Sequence, residues 1–246
     1  MKAIPMKQQK DQQTTRTTLA DRVYQQLKED IGNFVLFPGD RFTEHELCER
    51  LDVSRTPLRQ ALARLQQDGH IEVLFRSGWR ILPLDFKKFD QLYDLRILLE
   101  IASIKKIIAR PKTLEKSEAN RLLQSLAEIW LVPVAARSSD SRQVSVWDEE
   151  FHCLIVRAAG NEEIARVHWD ITERIRMIRK LDFTKRRRID ATYTEHQEIL
   201  QAIISDDATL ACELMTAHIQ ASQREVRSIT LLQLDAARRR AYPVAA

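Results

Sequence analysis

Asp148 and His152 stand four residues apart in WDEEFHCLIVRAAGN. On a helix that spacing puts a carboxylate and an imidazole on one face, beside the apolar Phe151 and Ile155. His196 follows in TEHQEILQAI and His218 in ELMTAHIQ, each on a separate helix-forming run. If the three runs converge, three imidazoles and one carboxylate meet in a core pocket. Such a set suits zinc, nickel, cobalt, manganese or iron(II) better than magnesium or calcium, and it leaves coordination positions open. The same set could activate water for hydrolysis, although no separately placed general base accompanies it. A lone half-buried histidine is more often a hydrogen-bonded core residue, and spacing on its own does not separate these readings.

A second group of residues carries a different chemistry. In VSRTPLRQALARLQQDGHI, residues 53–71, Leu58, Ala61, Leu62 and Leu65 follow the i, i+3, i+4, i+7 pattern of a core-facing helical stripe. Arg55, Thr56 and Arg59 are left at the amino end, free to project. Pro57 falls in the first turn, where a missing N–H costs little, and Ser54 precedes it as a capping residue. Thr43 to Arg50 reads as a shorter helix before it, with Thr43 as N-cap and Glu46 completing a capping box. Two helices joined by a tight turn, the second offering Arg and Thr from its first turns, is how a helix-turn-helix enters the DNA major groove. The arginine fork can bond a guanine edge in two places or clamp a phosphate.

The elements that must position these residues are mostly helices. Leu19, Val23, Leu27 and Ile31 mark a first helix over 19–36, ended by Phe37-Pro38-Gly39-Asp40. Gly69 ends the third helix, and His70 to Leu74 and Trp79 to Leu82 are β-prone runs around Phe75-Arg76-Ser77-Gly78, a small basic-tipped wing. Pro83 marks a linker. Six helices follow: Asp85 to Ala109, Thr113 to Trp130, about Ser141 to Ala159, Asn161 to Leu181, about Asp190 to Ser205, and Asp207 to about Gln233. They can pack as an antiparallel bundle with a ligand cavity in its core.

Composition agrees with this order. The 246 residues include only five glycines, and long glycine-poor runs of good helix formers argue for a mainly α chain. Net charge is +4, which permits nucleic-acid binding without locating it, since the basic excess divides evenly between the chain up to Leu82 and the remainder. Cys48, Cys153 and Cys212 sit alone in apolar-periodic stretches and read as buried reduced thiols, so neither a disulfide framework nor a thiolate zinc knuckle is indicated. No apolar run is long enough to cross a bilayer, and the polar start lacks a secretory signal. A cytoplasmic location is expected. Residues 1–18 read as a disordered tail, 19–82 as a winged helix-turn-helix, 83–235 as an all-helical bundle and 236–246 as a second tail. Lys185 to Arg188 and Arg238 to Arg240 read as solvated charge runs.

PGDRFTEHELCERLDVSRTPLRQALARLQQDGHIEVLFRSGW resembles the winged helix-turn-helix of the GntR family of bacterial transcriptional regulators from about Leu19 to Leu82. PG, the E-x-x-L of the second helix, V-S-R-T-P-x-R-x-A-L and L-x-x-D-G recur at that family's spacings. The resemblance implies that Arg55 and Arg59 contact bases and phosphates, that Ser54 and Thr56 bond phosphates, and that Arg76, Ser77 and Gly78 reach the minor groove. His45 stands where many members carry a further DNA-contacting arginine. Residues 85–232 resemble the FCD domain of the FadR subfamily, in its six-helix, VanR-like form. D-x-x-x-H-x-x-L followed by A-A-G-N, then E-H-x-x-I-x-x-A-I, then M-x-x-H-I, match that domain's metal pattern at Asp148, His152, His196 and His218.

By the same resemblance Arg96 in YDLRILLE points into the cavity toward an effector carboxylate, although pairing with Glu100 four residues on could equally be a surface salt bridge. His70 and His168 match no ligand position and read as structural. The expectation is a homodimeric DNA-binding repressor that holds a palindromic operator. A small organic acid controls it at a site containing a divalent transition metal, zinc foremost, with nickel, cobalt, manganese or iron as alternatives. A metal-responsive regulator without an organic effector, and less readily a metal-dependent hydrolase, are the other readings.

Overall fold

The structure, a computed structural model, describes residues 18–75, 77–110, 118–182 and 186–228, with backbone alone at 180–182 and 186–187. The expected tail up to residue 17, the wing-tip Arg76, the end of the last helix toward Gln233, Arg238 to Arg240 and the tail at 236–246 lie outside the described residues. Thr18, expected as the last tail residue, caps the first helix instead: its hydroxyl accepts from the Asp21 N–H at 3.1 Å, and its own N–H donates to the Asp21 carboxylate at 3.0 Å. Two compact units emerge. One comprises Leu36–Leu82 with the chain up to Ile31, and the other runs from Pro83 with Gly32–Val35.

The first unit follows the apolar stripes. Helix α1 (Leu19–Gly32) buries Val23, Leu27 and Ile31. It stops at Gly32 and not at Leu36, because Phe34 takes a left-handed φ of 60° and the Leu36 N–H turns back to the Asp30 carbonyl. Helix α2 (Glu44–Leu51) starts from the expected capping box: Thr43 Oγ1 accepts from the Glu46 N–H, and the Glu46 carboxylate accepts from the Thr43 N–H at 2.7 Å. Asp52, left-handed at φ 50°, turns the chain sharply into helix α3 (Arg55–Gln67). Leu58, Ala61, Leu62 and Leu65 on α3 are almost wholly buried, each leucine contributing about 1.5–3 kcal/mol by leaving water. Ser54 occupies the N-cap of α3, but its side chain makes no capping bond.

Strands β2 (Ile71–Leu74) and β3 (Gly78–Ile81) form the expected antiparallel wing, with Ile71 opposite Ile81 and Val73 opposite Trp79. The sequence pattern missed β1 (Arg41–Phe42), which pairs with the other edge of β3, giving the order β1-β3-β2. Two residues are too short for an alternation to register. Gly78 makes this pairing possible: at φ +82°, a Cβ there would stand 2.5 Å from the Phe42 carbonyl oxygen.

The second unit is a bundle of six α-helices among the described residues: α4 (Phe86–Ile108), α5 (Glu118–Trp130), α6 (Ser141–Ala158), α7 (Glu162–Asp182), α8 (Arg186–Ile204) and α9 (Ala208–Arg227), with a 3₁₀ turn at Val134–Ala136. Asp85, Asp140 and Asp207 cap α4, α6 and α9 through their carboxylates. Helix α4 packs against α6, α7 and α9, while α8 packs against α5, α6 and α9. Arg186 to Arg188, expected in a loop, form the first turn of α8. Cations at a helix N-terminus oppose its dipole, but Arg188 folds forward onto Glu195, with Nη1 2.9 Å from Oε2, and so has a partner inside its own helix. The three cysteines are free as expected but only half-buried.

The capping box is the local device that sets where α2 begins. Thr43→Ala removes one acceptor and one reciprocal bond, and should destabilise the first unit by about 1 kcal/mol, read as a lowered midpoint of urea unfolding.

Candidate functional site

On the first unit, the start of α3 is exposed and cationic. Ser54, Arg55, Thr56 and Arg59 are all exposed, and the first turn of α3 carries no acidic residue. Its leading N–H groups have no helical acceptors, and the positive end of the helix dipole favours an anion such as phosphate. The Ser54 hydroxyl, not engaged in capping, remains available to the same anion. Arg59 is the exception to this openness, because its Nε donates to Glu44 Oε1 and Oε2 at 3.0 and 2.8 Å. His45 is exposed on α2, 3.5 Å from Glu49 on the next turn. At the wing, Ser77 is exposed and its hydroxyl donates to the Phe75 carbonyl at 3.3 Å, beside the left-handed Gly78.

In the second unit, helices α6, α8 and α9 bring Asp148, His152, His196 and His218 together. One ligand atom from each lies within 4.8 Å of all the others, and all four residues are buried. The three imidazoles converge through Nε2: His152 to His218 is 3.1 Å and His196 to His218 is 3.3 Å. Asp148 Oδ1 lies 3.3 Å from His196 Nε2 and 3.7 Å from His152 Nε2. Aromatic packing holds the cluster in register, with Phe151 stacked on His196 at 3.7 Å and Trp130 edge-on to it at 4.2 Å.

What lies behind the rings decides their protonation. His152 Nδ1 is 2.7 Å from Glu100 Oε2, and His218 Nδ1 is 2.6 Å from Glu195 Oε2. A carboxylate oxygen accepts, so each Nδ1 donates to it, even though burial pushes the Glu195 carboxyl up against the pull of Arg188, and in a neutral ring bonded this way Nε2 presents a lone pair. Burial pushes His196 down to about 3 and depresses His218 as well, so no proton is readily held between the rings. Burial also opposes ionisation of Asp148, but the Arg179 guanidinium outweighs it and keeps the carboxyl well below its usual range. The Nε2 lone pairs of His152 and His218 and an Asp148 oxygen thus face one point, with His196 Nε2 beside them and its Nδ1 without a partner among the described residues. They repel each other unless a cation sits there, and donors of this kind fit a divalent transition metal. Carboxylates behind two of the three imidazoles complete the arrangement commonly found around such ions.

The residues beyond the cluster were only partly legible. Glu100 appeared in the sequence as a partner for Arg96, and both are fully buried, so the surface salt bridge considered for them does not exist. Glu100 Oε1 accepts from Arg96 Nε at 2.7 Å and from His168 Nε2 at 3.0 Å, while Oε2 takes His152. His168, read as structural, therefore braces Glu100 from α7. Burial opposes ionisation of Glu100, and His152 and Arg96 overcome it, holding it well below the normal carboxylate range. Arg179, which grips Asp148, gave no sequence signal, since its partner is on another helix. Glu195 could have been noticed only as the neighbour of His196. Arg96 Nη1 and Nη2 are buried with no hydrogen-bond partner among the described residues.

Comparison with known proteins bears on both units. Residues 91–221 match the FCD domain and residues 19–81 match the bacterial regulatory proteins of the gntR family. The Nta operon transcriptional regulator of Aminobacter aminovorans is 30% identical over 183 residues, covering 74% of this chain and 82% of that one. The gluconate operon transcriptional repressor of Bacillus subtilis (strain 168) is 26% identical over 225 residues, 86% of each chain. Among solved structures, a GntR transcriptional regulator from Rhodococcus sp. RHA1 matches with a TM-score of 0.65 at 20% identity, covering 86% of this chain and 98% of that one. Lar, which controls the agr system of Listeria monocytogenes, matches with a TM-score of 0.60 at 20% identity, covering 88% and 100%. These two share the fold.

The cluster makes a direct demand. Purified protein loaded with zinc should retain it through desalting, and the His152→Ala, His196→Ala double variant should lose it by metal analysis. Glu195→Gln should keep the ligands but weaken zinc about 10- to 100-fold in competition with a chromogenic chelator.

Proposed function

Because the chain belongs to the GntR family of bacterial regulatory proteins and carries an FCD domain, we propose that it is a cytoplasmic, homodimeric repressor whose hold on a palindromic operator is governed by a small organic acid. It is a DNA-binding transcriptional regulator; the acid, the symmetry and the repressing sign are the further reading. In this reading Arg55 and Arg59 meet bases and phosphates, Ser54 and Thr56 bond phosphates, Arg76, Ser77 and Gly78 reach the minor groove, and His45 takes the place of a further DNA-contacting arginine found in many members. One recognition helix reads few base pairs, and a symmetric pair doubles the contacts while fixing half-site spacing. The naming of one relative as a gluconate operon repressor supports both the sign and an acidic metabolite.

The observation that carries the effector reading is the pair of orphaned Arg96 nitrogens. Leaving charged donors buried and unbonded costs several kcal/mol in order of magnitude, a cost that a carboxylate at that edge would remove. Asp148, His152, His196 and His218 would hold the metal, which supplies open coordination positions to an anion beside it. Charge balance favours the same ligand class. Asp148 is matched by Arg179 and Glu100 by Arg96, so the interior is neutral without a cation and positive with one. Arg96 is joined through Glu100 to His152, which gives the anion and the metal ligands a shared framework. An acid can alter DNA binding only if the two arrangements of the dimer differ in affinity for it.

A melting-temperature screen of the zinc-loaded chain against mono-, di- and tricarboxylates tests this. At least one acid should raise the midpoint and change the affinity for operator DNA. Arg96→Leu should bind zinc yet lose that response. If no carboxylate acts while zinc alone changes DNA affinity, the regulator is metal-responsive and the effector reading fails.

A further inference from the structure

We propose that Glu44 is a positioning residue for sequence discrimination, fixing Arg59 so that its terminal edge can read a base. This rests on the reading that Arg59 faces DNA. Glu44 opens α2 and Arg59 lies in the second turn of α3, so their ion pair spans the two helices of the helix-turn-helix. Both carboxylate oxygens engage the same nitrogen, Nε, at 2.8 and 3.0 Å. No other hydrogen bond of Arg59 is found among the described residues, which leaves Nη1 and Nη2, the edge that forks onto guanine O6 and N7. Glu44 holds the guanidinium from the side opposite to its use.

The two helices are themselves rigid at this point. The Thr43–Glu46 capping box pins the start of α2, and the fully buried Leu58 and Leu62 flank Arg59 on α3. The Glu44 side chain is 24% exposed and the Arg59 side chain 64%, so the carboxylate is the sheltered partner and the guanidinium the presented one. Arg55, one turn earlier, has no ion pair among the described residues. A free arginine can follow a phosphate wherever it lies, whereas a braced one has lost its rotamer freedom before binding and rewards only a base in the right place. The carboxylate also works against indiscriminate binding, because it lowers the charge offered to the phosphate backbone wherever the Arg59 fork finds no base. As a contribution to stability, an exposed pair of this kind matters little, so its removal separates fold from recognition.

The test uses the full chain as wild type, Glu44→Gln and Arg59→Ala, each used to enrich binding sequences from a random duplex library. Affinities for the enriched duplex and a scrambled one are then measured by fluorescence anisotropy. Arg59→Ala identifies the base pair that Arg59 reads as the position where preference disappears. Glu44→Gln should melt with wild type, bind the scrambled duplex at least as tightly, and lose about tenfold of discrimination at that same position. If Glu44→Gln keeps its preference there within about twofold, Glu44 does not position Arg59 and the proposal falls alone. If Arg59→Ala changes neither preference nor affinity, the DNA-facing reading of Arg59 falls and takes this one with it.

Discussion

Two hydrogen bonds, from His152 to Glu100 and from His218 to Glu195, constrain the centre of the bundle more than any other contacts. Each uses up the Nδ1 hydrogen of its imidazole and so turns the remaining nitrogen, with its lone pair, toward the other rings. Without them the rings could adopt the tautomer that lets one Nε2–H bond to a neighbour, and the cluster would be an ordinary set of core histidines. With them, the Nε2 lone pairs of His152 and His218 converge with an Asp148 oxygen beside His196, against which Trp130 and Phe151 pack. The chemistry of the site thus depends on carboxylates that never face its centre.

Those carboxylates cannot stand alone in a dry interior. A buried ion is tolerated when it is paired and its remaining acceptor positions are filled, and the bundle meets this requirement by linking pairs from different helices. Glu100 on α4 joins Arg96 on its own helix to His152 on α6 and His168 on α7. Asp148 on α6 joins Arg179 on α7, and Glu195 on α8 joins Arg188 on its own helix to His218 on α9. Five helices are tied into one electrostatic unit, so a charge added at one place is felt at the others.

The DNA-binding unit solves the opposite problem. Its working side chains must remain in water until a duplex arrives, so their placement comes from short-range devices: a capping box, a left-handed aspartate at the turn, a proline in the first turn of α3 and a glycine where two strands approach closely. Among the described residues, Arg59 is restrained further, by a carboxylate from the preceding helix.

This difference explains what could be read from the chain alone. The helices, the wing and the order of the two units followed from apolar periodicity and from capping and breaking residues, all effects that act within a few residues. The four clustered residues were also legible, since Asp148 and His152 share a helical face and the matching pattern supplied His196 and His218. Strand β1 was invisible because two residues carry no period, and α1 was read too long because Phe34 and Val35 continue its apolar stripe after the helix has ended. The roles of Glu100, Glu195, Arg179 and His168 were decided only in three dimensions. Their partners lie on other helices or at spacings that many exposed charges share. What the sequence by itself determined was which groups could bind; the packing of the helices determined which nitrogen each ring presents, because a proton's position depends on whichever acceptor lies within hydrogen-bonding distance.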